Sequence, residues 1–239
     1  MKRDEFSSVP RFSDHETRDN CRMPLITALG PAPGRLGGFL LEVDGSAGFR
    51  VSEDLCQRRG LHVGARLTTT ELEALGQEAG DSEAMDRAVH YLSYRSRTCR
   101  EVRRYLGKRG LTRYADSAIA RCVELGYLDD DAYAQAFVRE RTRLKPRGRP
   151  RLVSELLARG VDRDTAEGAV EAALAEDGVT EAALMRDVAL RRIRALRRLD
   201  PPAARRRLAA FLGRRGFQSE AIRDLVRELL PDEPDRGDA

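Results

Sequence analysis

Three segments of the chain repeat one another around a glycine. Aligned on Gly110, Gly160 and Gly216, "EVRRYLGKRGL", "RLVSELLARGV" and "RRLAAFLGRRGF" place Leu106, Leu156 and Leu212 four positions before the glycine. Four earlier stand Val102, Leu152 and Leu208. An arginine precedes every glycine, and Leu111, Val161 or Phe217 follows it. Apolar residues four apart mark one buried stripe of a helix. Glycine at the helix end supplies a left-handed cap, and the apolar residue after it folds back onto the helix. The arginine suits the negative end of the helix dipole.

Each of these helices sits between two others. "EAMDRAVHYLSYR", "DDAYAQAFVRERT" and "EAALMRDVALRRIRAL" precede them; "YADSAIARCVELG", "DRDTAEGAVEAALA" and "SEAIRDLVREL" follow. The unit is three helices, too long for tetratricopeptide or ankyrin repeats and similar in outline to helix-turn-helix modules. Upstream, "LITAL" and "GGFLLEV" are short apolar runs, and Asp44-Gly45 before "SAGFRV" is a hairpin signal. Ser52 caps a short helix closed by Gly60, and another helix starts within "TTTELEALGQEAG". The expected fold is mainly all-α: tandem three-helix, helix-turn-helix-like repeats in an elongated array, with a small N-terminal β-hairpin/helix module. The expected divisions are a disordered leader at 1–24, an α+β module at 25–81, repeats at 82–126, 127–178 and 179–230, and an acidic tail at 231–239. The hairpin carries no Lys or Arg before Arg50, which makes it structural rather than a nucleic-acid ribbon.

The net charge of +4 is unevenly spread. The first repeat carries an excess of five basic residues and the third an excess of seven, while the middle one is acidic by two. Local basic faces are implied, not a uniformly cationic protein. Lysine occurs only at 2, 108 and 145, so the positive charge is nearly all arginine. Arginine suits bidentate contacts to phosphate or carboxylate, although codon bias in a GC-rich genome also enriches it. The densest run lies in the middle repeat: from Arg139 to Arg151 every second residue is Arg or Lys, opposed only by Glu140. Pro146, Gly148 and Pro150 are expected to hold this run out of helix, as the turn between the first two helices of the repeat. Pro150 also fits a helix start, with Glu155 and Arg159 paired four apart beyond it. The turn is read as a contact surface, and the competing reading is a solvated linker.

A catalytic set is missing from the sequence. Phosphate-loop, nucleophile-elbow and zincin motifs are absent, and His15, His62 and His90 share no spacing. Cys21, Cys56, Cys99 and Cys122 form no CxxC pair, which argues against a zinc site or a disulfide framework and for a reducing cytoplasm. Asp129, Asp130 and Asp131 follow Gly126, where an aspartate that caps the next helix explains them better than a metal. Neither metal nor cofactor is expected. No apolar run approaches a membrane span, and the N-terminus has no signal region.

The junction at Gly126 also carries a resemblance. "ELGYLDDDAYAQAFVRERTRLKPRGRPRLVSELLARGV" resembles the signature of the RecX family, bacterial regulators of the RecA recombinase, through Gly126, Tyr127, Leu128, Asp129, Asp130, Tyr133 and Ala134. The match continues through Arg141, Gly148, Arg151, Leu152, Leu156 and Gly160, with Tyr133 where phenylalanine is usual. The resemblance spans about residues 25–230 and is weak at its N-terminal end. It implies a protein without catalytic residues that binds RecA filaments on DNA and restrains ATP hydrolysis, strand exchange and coprotease activity; a cytoplasmic monomer is expected. The expected contacts, to filament, to single- or double-stranded DNA, or to both, are Arg141, Arg143, Lys145, Arg147, Arg149 and Arg151, with Arg103 and Arg104 in the first repeat and Arg206 and Arg207 in the third. The alternative is a non-specific DNA-binding helical array acting through phosphates.

Overall fold

All three repeat glycines take the left-handed conformation, with φ of 77°, 91° and 81° at Gly110, Gly160 and Gly216. In each case the amide of the next residue donates back to the leucine carbonyl five positions earlier. Leu111 reaches Leu106 at 3.1 Å, Val161 reaches Leu156 at 3.2 Å, and Phe217 reaches Leu212 at 3.4 Å. This is the Schellman closure, and it drops the following apolar side chain onto the helix it has just left. The three leucines, and Val102, Leu152 and Leu208 before them, are at most 1% exposed.

These features come from a computed structural model that describes residues 23–34, 36–176 and 180–231. The polar leader up to residue 22, with Cys21 and His15, and the acidic tail from 232 lie outside the described residues. A three-stranded antiparallel sheet comes first: β1 (Ile26–Pro31), β2 (Phe39–Val43) and β3 (Ser46–Val51), in that order. Asp44 and Gly45 form the two-residue turn between β2 and β3, both at positive φ (50° and 77°), as the sequence pair predicts. The sheet packs on α1 (Glu53–Arg59), capped by Ser52, and on α2 (Thr69–Leu92), whose N-terminus is a capping box of Thr68 and Glu71. Arg50 is structural: it donates to the Leu36 and Gly37 carbonyls at 2.8 Å and pairs with Asp86 of α2 at 3.3 Å.

α2 runs unbroken across the expected division at residue 81, so the sheet module and the first repeat share one helix. The first repeat is completed by α3 (Cys99–Gly107) and α4 (Ala115–Glu124). The second consists of α5 (Asp130–Leu144), α6 (Arg149–Arg159) and α7 (Arg163–Glu176). The third consists of α8 (Glu181–Ile193), α9 (Pro201–Arg214) and α10 (Ser219–Leu229). Each repeat has its own apolar core, and the sheet has a fourth. The chain divides into two compact units at Leu128/Asp129. That junction follows the sequence closely: Gly126 is left-handed (φ 73°), Leu128 is buried in the first core, and the Asp129 side chain accepts the Ala132 amide at 2.8 Å as the N-cap of α5. No helix among the described residues is long and apolar enough to cross a membrane.

Leu156 is fully buried in the middle core, and Leu156→Ala should lower stability by about 2–5 kcal/mol. Urea unfolding of the full chain followed by circular dichroism measures this.

Candidate functional site

The residue five before each repeat glycine lies one helical turn from the arginine that precedes it, on the same face. In the first and third repeats it is aromatic, Tyr105 and Phe211; in the second it is Glu155. Arginines gather at all three places. Arg109 lies over Tyr105 at 5.4 Å; Tyr105 stacks on Tyr91 at 4.1 Å, and Arg97 covers Tyr91 at 4.1 Å. Phe211 is flanked by Arg215 at 4.7 Å and Arg192 at 5.1 Å. In the middle repeat Glu155 draws Arg141 (3.5 Å), Arg151 (2.9 Å) and Arg147 into ion pairs. The ring there is Phe137 of α5, with Arg141 and Arg159 each 4.9 Å from its centre, and Arg159 also donates to the Tyr133 hydroxyl at 3.0 Å. Guanidinium on a ring face or a carboxylate keeps its charge while its stem covers apolar surface.

The arginine-rich run is less irregular than expected. Only residues 145–148 leave helix. Arg139, Arg141 and Arg143 belong to α5, while Arg149 and Arg151 belong to the first turn of α6. Pro150 is tolerated there because first-turn amides have no partner within the helix. The turn is not a solvated linker either. The Gly148 amide donates to the Arg215 carbonyl at 2.9 Å, the Arg215 side chain donates to the Pro146 carbonyl at 2.8 Å, and the Arg149 amide donates to Glu181 at 2.9 Å. The turn is thus clamped to the third repeat. Contact is so close that a β-carbon on Gly148 would lie 2.2 Å from the Gly216 carbonyl oxygen, and one on Gly216 would lie 2.3 Å from the Arg151 β-carbon. The repeat-one equivalent of Gly148 is Thr98, which caps α3 with its side chain; at Gly148 there is no room for one.

Where the turn meets the end of α9, a pocket of about 280 Å³ is lined by Lys145, Arg147, Arg151, Phe211, Arg214 and Arg215. Among the described residues, the one carboxylate that these cations contact is Glu155. Burial, and then the charges of Arg141, Arg151 and Arg215, push the Arg147 guanidinium below its usual value. An unneutralised cluster of this kind attracts anions.

Of the expected contact residues, Lys145, Arg147 and Arg151 converge on this pocket. Arg141 turns inward to Phe137 and Glu155, and Arg149 pairs with Glu171 at 3.5 Å. Arg143, Arg206 and Arg207 are exposed, with no side-chain partner among the described residues, and do not line it. Arg103 and Arg104 belong to the other compact unit, where Arg103 bonds Asp116 at 2.8 Å and Arg104 is exposed. Phe211, Arg214 and Arg215 were not foreseen. The sequence held no signal for them, since glycine is itself an accepted N-cap and Gly148 does not point to α9. His90 makes a local contact, its Nε2 3.2 Å from the Tyr94 hydroxyl. Among the described residues no group of three or more His, Cys, Asp or Glu could hold a metal.

Comparison with known proteins gives these repeats an identity. Models for the first, second and third three-helix domains of RecX match residues 84–124, 129–170 and 180–226 in order. A regulatory protein RecX of Bacillus velezensis is 30% identical over 203 residues, covering 84% of this chain and 75% of its own. The chain belongs to the RecX family. Regulatory protein RecX of Prosthecochloris aestuarii is 35% identical over 152 residues, 62% of this chain and 94% of that protein. That of Lactobacillus johnsonii is 34% identical over 143 residues, 59% of this chain, and the match spans about half (52%) of the relative's length. A crystal structure of regulatory protein RecX shares the fold at a TM-score of 0.61 and 23% identity, covering 88% of this chain and all of that one. Another, from Lactobacillus salivarius, has a TM-score of 0.54 at 23% identity, covering 63% and 96%. Of the residues singled out from the sequence, Gly126, Tyr127 and Leu128 fall between the first and second RecX domain matches, and Asp129, Asp130 and Gly160 fall within the second.

Glu155→Gln leaves three guanidiniums without their shared carboxylate. It should cost about 1–3 kcal/mol of stability, partly regained as salt screens the arginines from one another; thermal melts across a salt series test both parts. Gly148→Ala forces the two repeats apart and should cost about 1–3 kcal/mol, as overpacking does, without the recovery in salt.

Proposed function

We propose that this chain binds the RecA nucleoprotein filament and restrains its ATP hydrolysis, strand exchange and coprotease activity. The match of all three RecX domains in order is the observation that supports this reading. Its fold supports it too: each repeat builds its own apolar core and leaves arginines outside. A filament of protein on DNA offers both carboxylates and phosphates to such a surface. The chain acts as a cytoplasmic monomer without cofactor, by occupying filament surface rather than by chemistry. Arg143, Arg206 and Arg207 are candidate contacts because nothing in the described fold consumes their charge. Changing Arg147, Arg149 and Arg151 together would test contact poorly, because Arg147 and Arg151 also neutralise Glu155.

RecA ATPase on circular single-stranded DNA should fall with substoichiometric amounts of the chain, and added free DNA should not restore it. No inhibition, or inhibition relieved by excess DNA, would count against filament binding. Arg143→Ala/Arg206→Ala/Arg207→Ala should leave the melting temperature nearly unchanged, since such surface changes cost within about 0.5 kcal/mol each, and should weaken co-sedimentation with filaments.

A further inference from the structure

We propose that the pocket between the α5–α6 turn and the end of α9 is a phosphoryl-binding site. It deepens the filament reading by giving part of that basic surface a ligand class, and it rests on a separate observation, the composition of the pocket wall.

The side chains of the wall are donors and one ring. Lysine and arginine side chains donate hydrogen bonds and accept none, and five of them surround Phe211. A ligand here must be an acceptor throughout. Nucleobase edges and sugar hydroxyls bring donors of their own and would find no side-chain acceptor on this wall. Stacking of a base is also disfavoured, because Arg215 and Arg192 already lie over the Phe211 ring and a base would have to compete with them. That leaves an oxyanion.

Between the two common oxyanions, the donor count favours phosphoryl over carboxylate. Arg147 and Arg151 already share Glu155, and Arg215 is anchored on the Pro146 carbonyl. The side chains of Lys145 and Arg214 have no hydrogen-bond or ion-pair partner among the described residues. These two alone offer about eight N–H bonds, against about four lone-pair sites on a carboxylate. A phosphoryl group presents more oxygens, spread tetrahedrally, and arginine forks match them. The clamp that joins Gly148 to Arg215 holds the two walls in place before any ligand arrives, so little ordering is required on binding. Specificity for base sequence is absent by construction, since only phosphate is met.

Phosphoryl groups come from a nucleic-acid backbone or from free polyphosphate, and the test separates these sources. Fluorescence anisotropy of a labelled oligothymidylate lacking a 5′-phosphate is measured with the full chain across a salt series, and inorganic pyrophosphate is titrated by calorimetry. Lys145→Ala/Arg214→Ala should weaken binding of whichever probe binds by about tenfold. If the oligothymidylate is the probe, the slope of log affinity on log salt should shrink by about 1.4, two phosphates at about 0.7 each. Lys145→Gln/Arg214→Gln should lose as much, which separates lost charge from lost packing, and thermal melts verify folding. Displacement of the oligonucleotide by pyrophosphate, or pyrophosphate binding alone, assigns the pocket to compact phosphates; oligonucleotide binding that resists pyrophosphate assigns it to backbone phosphodiesters. Binding of neither probe, unchanged affinity in both double variants, or polyglutamate competing as well as pyrophosphate at equal charge would overturn the proposal. RecA is absent from every arm, so loss of filament inhibition and loss of phosphoryl binding are seen separately.

Discussion

The return hydrogen bond at each repeat glycine is the constraint on which the helical part of this chain depends. An amide that reaches back five residues to a leucine carbonyl fixes the direction in which the chain leaves the helix. That direction drops Leu111, Val161 or Phe217 into the core and starts the third helix of the repeat on the correct side. Most residues could not make the turn, because the left-handed backbone crowds a β-carbon against the neighbouring carbonyl. One dihedral per repeat thus decides whether three short helices share a core.

Much of this was legible in the sequence because it is periodic. Leucine and valine four apart, a glycine, then an apolar residue constitute a local pattern, and local patterns survive without knowledge of the partner surface. The Asp44-Gly45 hairpin and the Asp129 cap were readable for the same reason. Contacts between repeats were not. Nothing in the string around Gly148 names Gly216, which lies in another repeat, and the two meet only once the fold is built. The pocket is a product of that meeting, so its α9 side was invisible while Lys145, Arg147 and Arg151 were already suspect. The extent of helix in the arginine run was misjudged because proline at a second helical position reads like a breaker.

Arginine does two jobs here, and sequence alone does not separate them. Arg97, Arg109, Arg141, Arg159, Arg192 and Arg215 lie on rings, where their stems complete the surface of a core poor in large side chains. Others stand clear of the fold with their charge intact. The middle repeat replaces the ring five before its glycine with Glu155, turning an apolar support into an electrostatic one at the same site. The middle repeat thus holds its arginines on both supports, Arg141 and Arg159 on the Phe137 ring and Arg141, Arg147 and Arg151 on Glu155.

The unbroken course of α2 has a further consequence. Its first half lies under the sheet, through Leu75 and Ala79, and its second half supplies Ala84 and Ala88 to the first repeat. A fragment that begins at the first family-matched residue, 84, would open inside a helix, stripped of the Thr68–Glu71 capping box and of the Asp86 partner Arg50. The sheet left behind would lose its apolar lid. In this chain the sheet and the first repeat are built on one continuous helix, so a cut at residue 84 damages both.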